Sequence, residues 1–336
     1  MHRKILIKFM KNKFLLVFAL LCLTKAGFAQ QDISLSMYMF NPLFTNPATA
    51  GYQDRQWLSG IGRYQWVGIE GAPKSGVISY QTPLKNENLA IGGLVKYDAL
   101  GLMKNIGLDL SFAYRIRLDE KTRLSLGLMA SLFSLNDSRA SAVTGSGTTD
   151  ASISKFLPNF GAGAYLFSNK YFIGASVPHI LNLKIADPRF DSVGATFSKV
   201  YNHFFMSAGY VFGKENGVKF KPTAFLKLAQ NSTPNIDLNA NLLLQERFWV
   251  GLGYRSGGDV INESGVFNQF PGVRGESVIA MFKMMATSKL EIGYAYDYPL
   301  SNLKTSTSGS HEIYVGMDLG KAKSTRYVSP RYVHYF

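Results

Sequence analysis

The sequence predicts an all-β protein: a transmembrane antiparallel β-barrel of about fourteen strands with both termini periplasmic. Three observations carry that expectation. Apolar and small or polar residues alternate with period two over segments near ten residues long. After the first thirty residues no apolar run approaches the roughly 18 residues of a helical span. The connections between successive segments are short on one side and long on the other. Composition agrees: of 336 residues 17% are charged and 13% aromatic, with Gly 32, Tyr 18 and Phe 24, against about 25% charged in average soluble proteins. A single cysteine excludes a disulfide framework and any Cys-based metal cluster.

The chain opens with a targeting segment. Arg3, Lys4, Lys8, Lys11 and Lys13 form a basic stretch, residues 14–23 a short apolar one, and Gly27-Phe28-Ala29 places small residues at −3 and −1. This is the pattern of a secretory signal peptide over 1–29, cut after Ala29. It is too short for a transmembrane helix, which needs roughly 20 apolar residues. A lipoprotein signal would use Cys22, but Leu21 stands where a small residue is required. Cleavage removes six basic residues, the five above and Lys25, and no acidic one, so the formal net charge falls from +14 to +8. An exported chain has little use for that basicity on nucleic acid, and no nucleic-acid partner is expected.

Residues 30–56 precede the first strand as an N-terminal periplasmic or plug segment, 57–319 hold the barrel, and 320–336 form a C-terminal periplasmic tail. Candidate strands fall at 57–66, 75–81, 89–97, 105–117, 121–134, 158–167, 171–178, 200–212, 218–228, 235–244, 247–255, 276–286, 288–298 and 309–319. The alternation is clearest over 105–117. There Ile106, Leu108, Leu110, Phe112, Tyr114 and Ile116 share one face, with Asn105, Gly107, Asp109, Ser111, Ala113, Arg115 and Arg117 on the other. Gaps after even-numbered strands are mostly short and polar, such as Leu118-Asp119-Glu120 and Gln245-Glu246. Those after odd ones include 135–157, 179–199 and 256–275. A soluble sandwich gives no reason for such parity, whereas an outer-membrane barrel does. In hydrocarbon an unpaired backbone group costs several kcal/mol, so the sheet must close, with its apolar face outward. Tyr97, Tyr114, Phe212, Tyr254 and Tyr298 near strand ends are candidates for the interfacial girdles.

Charges on the inward face are Lys96, Asp109, Arg115, Lys219, Lys221, Lys227, Lys283, Glu291, Asp297 and Glu312. They are read as mutually paired inside a filled barrel in preference to a selective ion path, because buried charges need partners. No catalytic, cofactor-binding or metal-binding residue is identified. His179, His203, His311 and His334 lack metal-ligand spacing, and Gly145-Ser146-Gly147 lacks the Gly-Lys-Ser/Thr of a phosphate loop. No enzyme activity and no cofactor are expected.

The stretch Met37-Tyr38-Met39-Phe40-Asn41-Pro42-Leu43-Phe44-Thr45-Asn46-Pro47-Ala48-Thr49-Ala50-Gly51 is too apolar for a solvated linker. Its two Asn-Pro turn signals make it a poor strand. It is placed packed against or inside the periplasmic mouth of the barrel. Its residues Tyr38, Met39, Phe40, Asn41, Asn46, Pro47, Ala48, Ala50 and Gly51 resemble the opening motif of the PorP/SprF family, outer-membrane proteins of the Bacteroidota type IX secretion system; Met37 stands where that motif usually has Gln. Arg63-Tyr64-Gln65-Trp66-Val67-Gly68, then Gly71-Ala72-Pro73 and Pro83-Leu84, are similar to a second family block. Ser308-Gly309-Ser310-His311-Glu312-Ile313 is similar to a third, and Tyr327 to Tyr332 with Phe336 to the family's termini.

The resemblance implies a non-enzymatic component of the secretion and gliding motility machinery in the outer membrane. Such a component aids export or cell-surface attachment of client proteins, notably large adhesins with a C-terminal targeting domain. Client recognition would use the extracellular loops or the lumen. Contacts with the secretion machinery would lie on the periplasmic side, where Lys321, Lys323, Arg326 and Arg331 of the tail are candidates. The alternative is a general outer-membrane channel or transporter for small solutes.

Overall fold

The computed structural model describes residues 33–85, 88–137, 153–182, 184–185, 198–199, 202–213, 217–229, 234–257 and 274–320. The signal peptide, the tip at 145–147, His334 and the basic tail lie outside the described residues. Among the described residues sixteen strands occur in chain order: β1 (Trp57–Tyr64), β2 (Lys74–Pro83), β3 (Leu89–Leu100), β4 (Met103–Arg117), β5 (Arg123–Asp137), β6 (Ile153–Phe167), β7 (Tyr171–Val177), β8 (Lys184–Ile185), β9 (Ser198–Lys199), β10 (His203–Tyr210), β11 (Lys219–Ala229), β12 (Asn235–Leu244), β13 (Phe248–Gly257), β14 (Arg274–Met285), β15 (Leu290–Pro299) and β16 (Ser310–Asp318). All but β8 and β9, which pair only with each other, join one closed antiparallel barrel of fourteen strands. The seam is complete, with Trp57 opposite Asp318 and Tyr64 opposite His311. Each of the fourteen expected strands is present.

The barrel is apolar outside and polar inside. On β4, Ile106, Leu108, Leu110, Phe112 and Tyr114 are exposed, while Asn105, Asp109, Ser111, Ala113 and Arg115 are buried. A soluble sandwich would place these two sets the other way round, since the hydrophobic effect drives apolar surface from water. Exposed apolar side chains facing outward all round a closed sheet are matched to lipid. Tyr97, Tyr114, Phe212, Tyr254 and Tyr298 all stand on this outer surface. The inward face is more than small and polar: Trp57, Tyr165, Phe225, Trp249 and Tyr314 are buried on it. The lumen is therefore packed as a core.

One end of the barrel carries tight turns. Between β12 and β13, Gln245 and Glu246 have φ of 51° and 52°, and the Arg247 N–H donates to the Leu244 carbonyl at 3.0 Å. The connection has three residues, 245–247, between Leu244 and Phe248, which pair across it. The opposite end carries the long connections. There the 65–73 and 300–309 loops interlock, with the Val67 N–H on the Gly309 carbonyl at 2.8 Å and the Ser308 N–H on the Val67 carbonyl at 2.8 Å.

Residues before β1 form three 3-10 turns, Tyr38–Phe40, Pro42–Phe44 and Pro47–Thr49. In the second and third, proline occupies the first turn, where its missing N–H is harmless. The segment goes deeper than a mouth. At the short-turn end Arg55 faces Glu291 at 3.7 Å and Asp318 at 3.6 Å, and Asp54 pairs with Arg115 and Arg123 on either side of the β4–β5 turn. At the long-loop end the Lys227 ammonium donates to Ser34 Oγ at 3.0 Å. Between these points the chain fills the lumen from one end to the other.

Candidate functional site

The lumen binds its own N-terminal segment through two kinds of contact. The first is shape. Asn46 caps the third 3-10 turn, its Oδ1 accepting from the Ala48 N–H at 2.9 Å, while its Nδ2 donates to the Ala164 carbonyl of β6 at 3.0 Å and the Ala175 carbonyl of β7 at 3.3 Å. A side-chain carbon on Gly127 of β5 would collide with the Ala48 backbone, and one on Gly163 of β6 with the Asn46 carboxamide. Only glycine leaves room there for the segment. Gly51 needs its freedom twice: its φ is +64°, and a side-chain carbon there would meet Ala90, Thr82 and Pro83. Its N–H donates to Gln81 Oε1 at 2.9 Å, and its carbonyl accepts from Arg115 at 2.7 Å. Tyr38 stacks on Phe225 with ring centroids 4.5 Å apart, and its hydroxyl accepts from Asn239 at 3.0 Å. Phe40 packs between Trp249 and Tyr314, beneath the Lys283 ammonium 4.4 Å from its ring centre.

The second contact is electrostatic. Six buried or partly buried charges from six strands face the start of the segment: Arg63 (β1), Lys227 (β11), Asp237 (β12), Arg255 (β13), Asp297 (β15) and Glu312 (β16). Arg255 holds Asp237 through two parallel bonds of 2.9 and 3.0 Å and reaches Asp297 at 3.3 Å. Arg63 bridges Asp297 at 2.8 Å and Glu312 at 3.1 Å. Lys227 lies 3.6 Å from Asp237. The formal charges cancel, and members of the cluster also bond the segment. Glu312 accepts from the backbone N–H groups of Ser36 at 2.8 Å and Met37 at 2.6 Å. The Arg255 guanidinium donates to the Leu35 carbonyl at 3.0 Å, and the Ser36 hydroxyl donates to Asp297 at 2.7 Å. Charge-assisted bonds of this kind are about twice as strong as neutral ones.

The inward charges expected from the alternation are lumenal, and most are ion-paired, some with each other and some with residues outside that set. Lys96 meets Asp109 at 2.8 Å, Lys283 meets Glu291 at 2.7 Å, and Lys219 meets Glu246 at 3.3 Å. Lys221 lies over the Trp249 ring at 5.5 Å. Apart from His311, the motif residues fall into three groups. Tyr38, Met39, Phe40, Asn41, Pro47, Ala48 and Ala50 are buried in the lumenal segment, with Asn41 Oδ1 accepting from Ser79 at 3.0 Å. Arg63 and Glu312, from separate blocks, meet in the charge cluster. Gln65, Trp66, Gly71, Ala72, Pro73, Gly309 and Ser310 build the interlocked loops: the Trp66 N–H donates to Ser310 Oγ at 3.1 Å, Gln65 pairs with Pro73, and Gly71 accepts from Gly101. His311 faces outward against the Tyr294 hydroxyl at 2.6 Å. Asp237 and Arg255 were not singled out by the sequence, although both lie on the inward parity. Among the described residues no group of three His, Cys, Asp or Glu is placed to hold a metal.

Asn46→Ala removes the two cross-strand bonds and the cap together. Leaving buried carbonyls unpartnered costs about 1–3 kcal/mol, and losing the cap adds about 1 kcal/mol. The expected outcome is a folded barrel whose segment is cut faster by protease, read as a shorter half-life of the 33–56 region in limited proteolysis.

Fold and site together define an outer-membrane β-barrel closed by its own N-terminal segment. The barrel superposes on a Pseudomonas aeruginosa FadL homologue with a TM-score of 0.51 at 11% identity, covering 84% of this chain and 94% of the other. It also resembles the Acinetobacter baumannii outer membrane protein Omp33, at a TM-score of 0.43 and 10% identity, over 79% and 97%. Comparison with curated protein sequences returns no match. Residues 27–317 match the family described as "Type IX secretion system membrane protein PorP/SprF", and the chain belongs to that family.

Proposed function

We propose that this barrel is a non-enzymatic outer-membrane station of the type IX secretion machinery, aiding export or surface attachment of a specific client such as a large adhesin with a C-terminal targeting domain. Family membership supports the secretion role. The observation that carries the finer reading is the occupied lumen: a passage lined by paired charges and filled by residues 33–56 offers small solutes no open path. That speaks against the general channel and moves client recognition from the lumen to the rim and the long loops. Machinery contacts then belong to the short-turn face, with Lys321, Lys323, Arg326 and Arg331 as candidates. In this reading the short turns face the periplasm, as in outer-membrane barrels generally.

Deletion of the gene, followed by comparison of surface and secreted proteomes, tests this. Loss of one or a few large clients is expected, restored by complementation; an unchanged secretome overturns the reading.

A further inference from the structure

We infer that the chain enters the barrel from the long-loop face, so that the processed amino terminus lies on that face and not with the short turns where β1 begins. The course of the lumenal segment carries this. Its last residues, Asp54 and Arg55, pair with Arg115, Arg123 and Glu291, which flank short turns, and with Asp318 at the same end of β16. Gly51 lies against Pro83 and Ala90, on either side of the β2–β3 turn. Moving towards the N-terminus, Asn46 reaches Ala164 and Ala175, and the Thr45 carbonyl accepts from Ser176 at 2.6 Å. Ser36 then reaches Arg63 near the far end of β1, at 2.8 Å. Ile33, Ser34 and Leu35 line an open pocket with His203, Ala229, Asn235 and Glu276. The first three of these are the terminal residues of β10, β11 and β12 at the long-loop end, and Glu276 is near the start of β14.

Return to the other face is barred by length and by volume. With the cut after Ala29, three residues precede Ile33, and a fully extended chain covers about 3.3–3.6 Å per residue, or roughly 10 Å. The apolar band of such a barrel is about 25 Å tall. The lumen they would retrace is already packed with the segment itself. The segment thus joins the two faces: a partner on the long loops meets the partly exposed Ile33 and Ser34, and those residues are tied through the charge cluster to a stretch of chain that ends beside the short turns. On the proposed function, which this extends, the client-facing surface includes the start of the mature chain.

The test uses single-cysteine variants of the full chain in a Cys22→Ser background, labelled on intact cells with a membrane-impermeant maleimide. Ser306→Cys reports the long-loop end and Ser288→Cys the short-turn end; both residues are exposed. Ile33→Cys, at the partly exposed start of the segment, is the measurement, with heat-modifiable gel mobility confirming that each barrel is folded. Ile33→Cys is expected to label with Ser306→Cys and unlike Ser288→Cys. Labelling with Ser288→Cys, or failure to label in intact cells where Ser306→Cys does, overturns the inference. Which reporter labels at all decides the orientation of the barrel, so failure of the orientation assumed in the proposed function is read separately.

Discussion

Arg255→Met is expected to lower the stability of the barrel by about 3–5 kcal/mol, the usual cost of stranding a buried charge by removing its partner. Arg255 and Asp237 are both fully buried. The guanidinium is the principal counterion of Asp237, through both carboxylate oxygens, and it also supports Asp297 and the Leu35 carbonyl. Lys227, 3.6 Å from Asp237, is a poor substitute because it is shared with Ser34. Asp297 keeps Arg63, so the damage centres on Asp237. The double variant Arg255→Met/Asp237→Leu removes both charges and is expected to recover most of the loss, since an apolar pair of similar volume is often neutral or better. Arg255→Lys keeps the charge but loses the fork geometry and should fall between them. Unfolding temperature in detergent at one fixed heating rate is the appropriate measurement, because unfolding of such barrels is treated as a rate. Equal temperatures for Arg255→Met and the native barrel would show that water reaches the cluster.

The double variant also separates two roles of the cluster. It keeps Glu312, which holds the Ser36 and Met37 backbone, and Arg63, which donates to the Ser36 hydroxyl, but loses the grip on Leu35. Stability should return while protease sensitivity of the segment's start does not.

Strand positions were legible in the sequence because lipid imposes a strict rule on every second residue. Residues 235–244 were placed to the residue, and the parity gave the correct face for each side chain from Asn105 to Arg115, failing only at the strand end, where Arg117 is exposed. The same rule gave the inward direction of Asp237 and Arg255 but not their importance. Alternation fixes a face; it says nothing of depth or of which strands meet. Glu312 and Ser36 are separated by 276 positions, and Asn46 and Ala164 by 118. No local pattern encodes contacts of that span. Asp54 and Arg55 lie outside any strand, so periodicity could not reach them. The motif blocks gave another kind of signal. Arg63 and Glu312 stood in separate blocks of family resemblance, and their contact explains why both belong to one pattern.

The inward aromatics were hidden for a related reason. Trp249 shares the lumenal parity with Gly251 and Gly253, small neighbours that fit a hydrated lumen as well as a filled one. What fills it is a segment with no strand or helix period. The apolar character of Tyr38, Met39, Phe40 and Leu43 marked this stretch for burial, and its Asn-Pro pairs excluded an ordinary strand. The glycines that admit it, Gly127 and Gly163, look in sequence like any other small inward residue.

Excision of residues 33–49 is expected to convert a silent barrel into a conducting one. The wall closes without the segment: β1 and β16 pair along their whole length, and the ladder bonds run between neighbouring strands. In hydrocarbon that closure is what satisfies the backbone. Removing the segment takes Tyr38, Phe40 and Leu43 out of the lumen and lets water reach Arg63, Arg255, Asp297, Glu312 and Lys283. Hydration replaces the lost hydrogen bonds of these charges, so the excised chain should still show a folded, heat-modifiable band. In planar bilayers the native barrel should carry no steady current and the excised one should, with weak ion selectivity because cations and anions line the path together. Gly127→Leu approaches the same state by a single substitution, since its side chain takes the place of the Ala48 backbone; its conductance should be smaller and intermittent, the rest of the segment remaining anchored by Glu312 and Arg255. A native barrel that conducts as well as the excised one would show that the segment does not seal the lumen. A folded excised barrel that stays silent would mean that the loops seal it instead. Returned to cells, the excised variant then separates sealing from export: a client that is lost although the barrel folds requires the segment itself, and a client that is still exported requires only the wall and its loops.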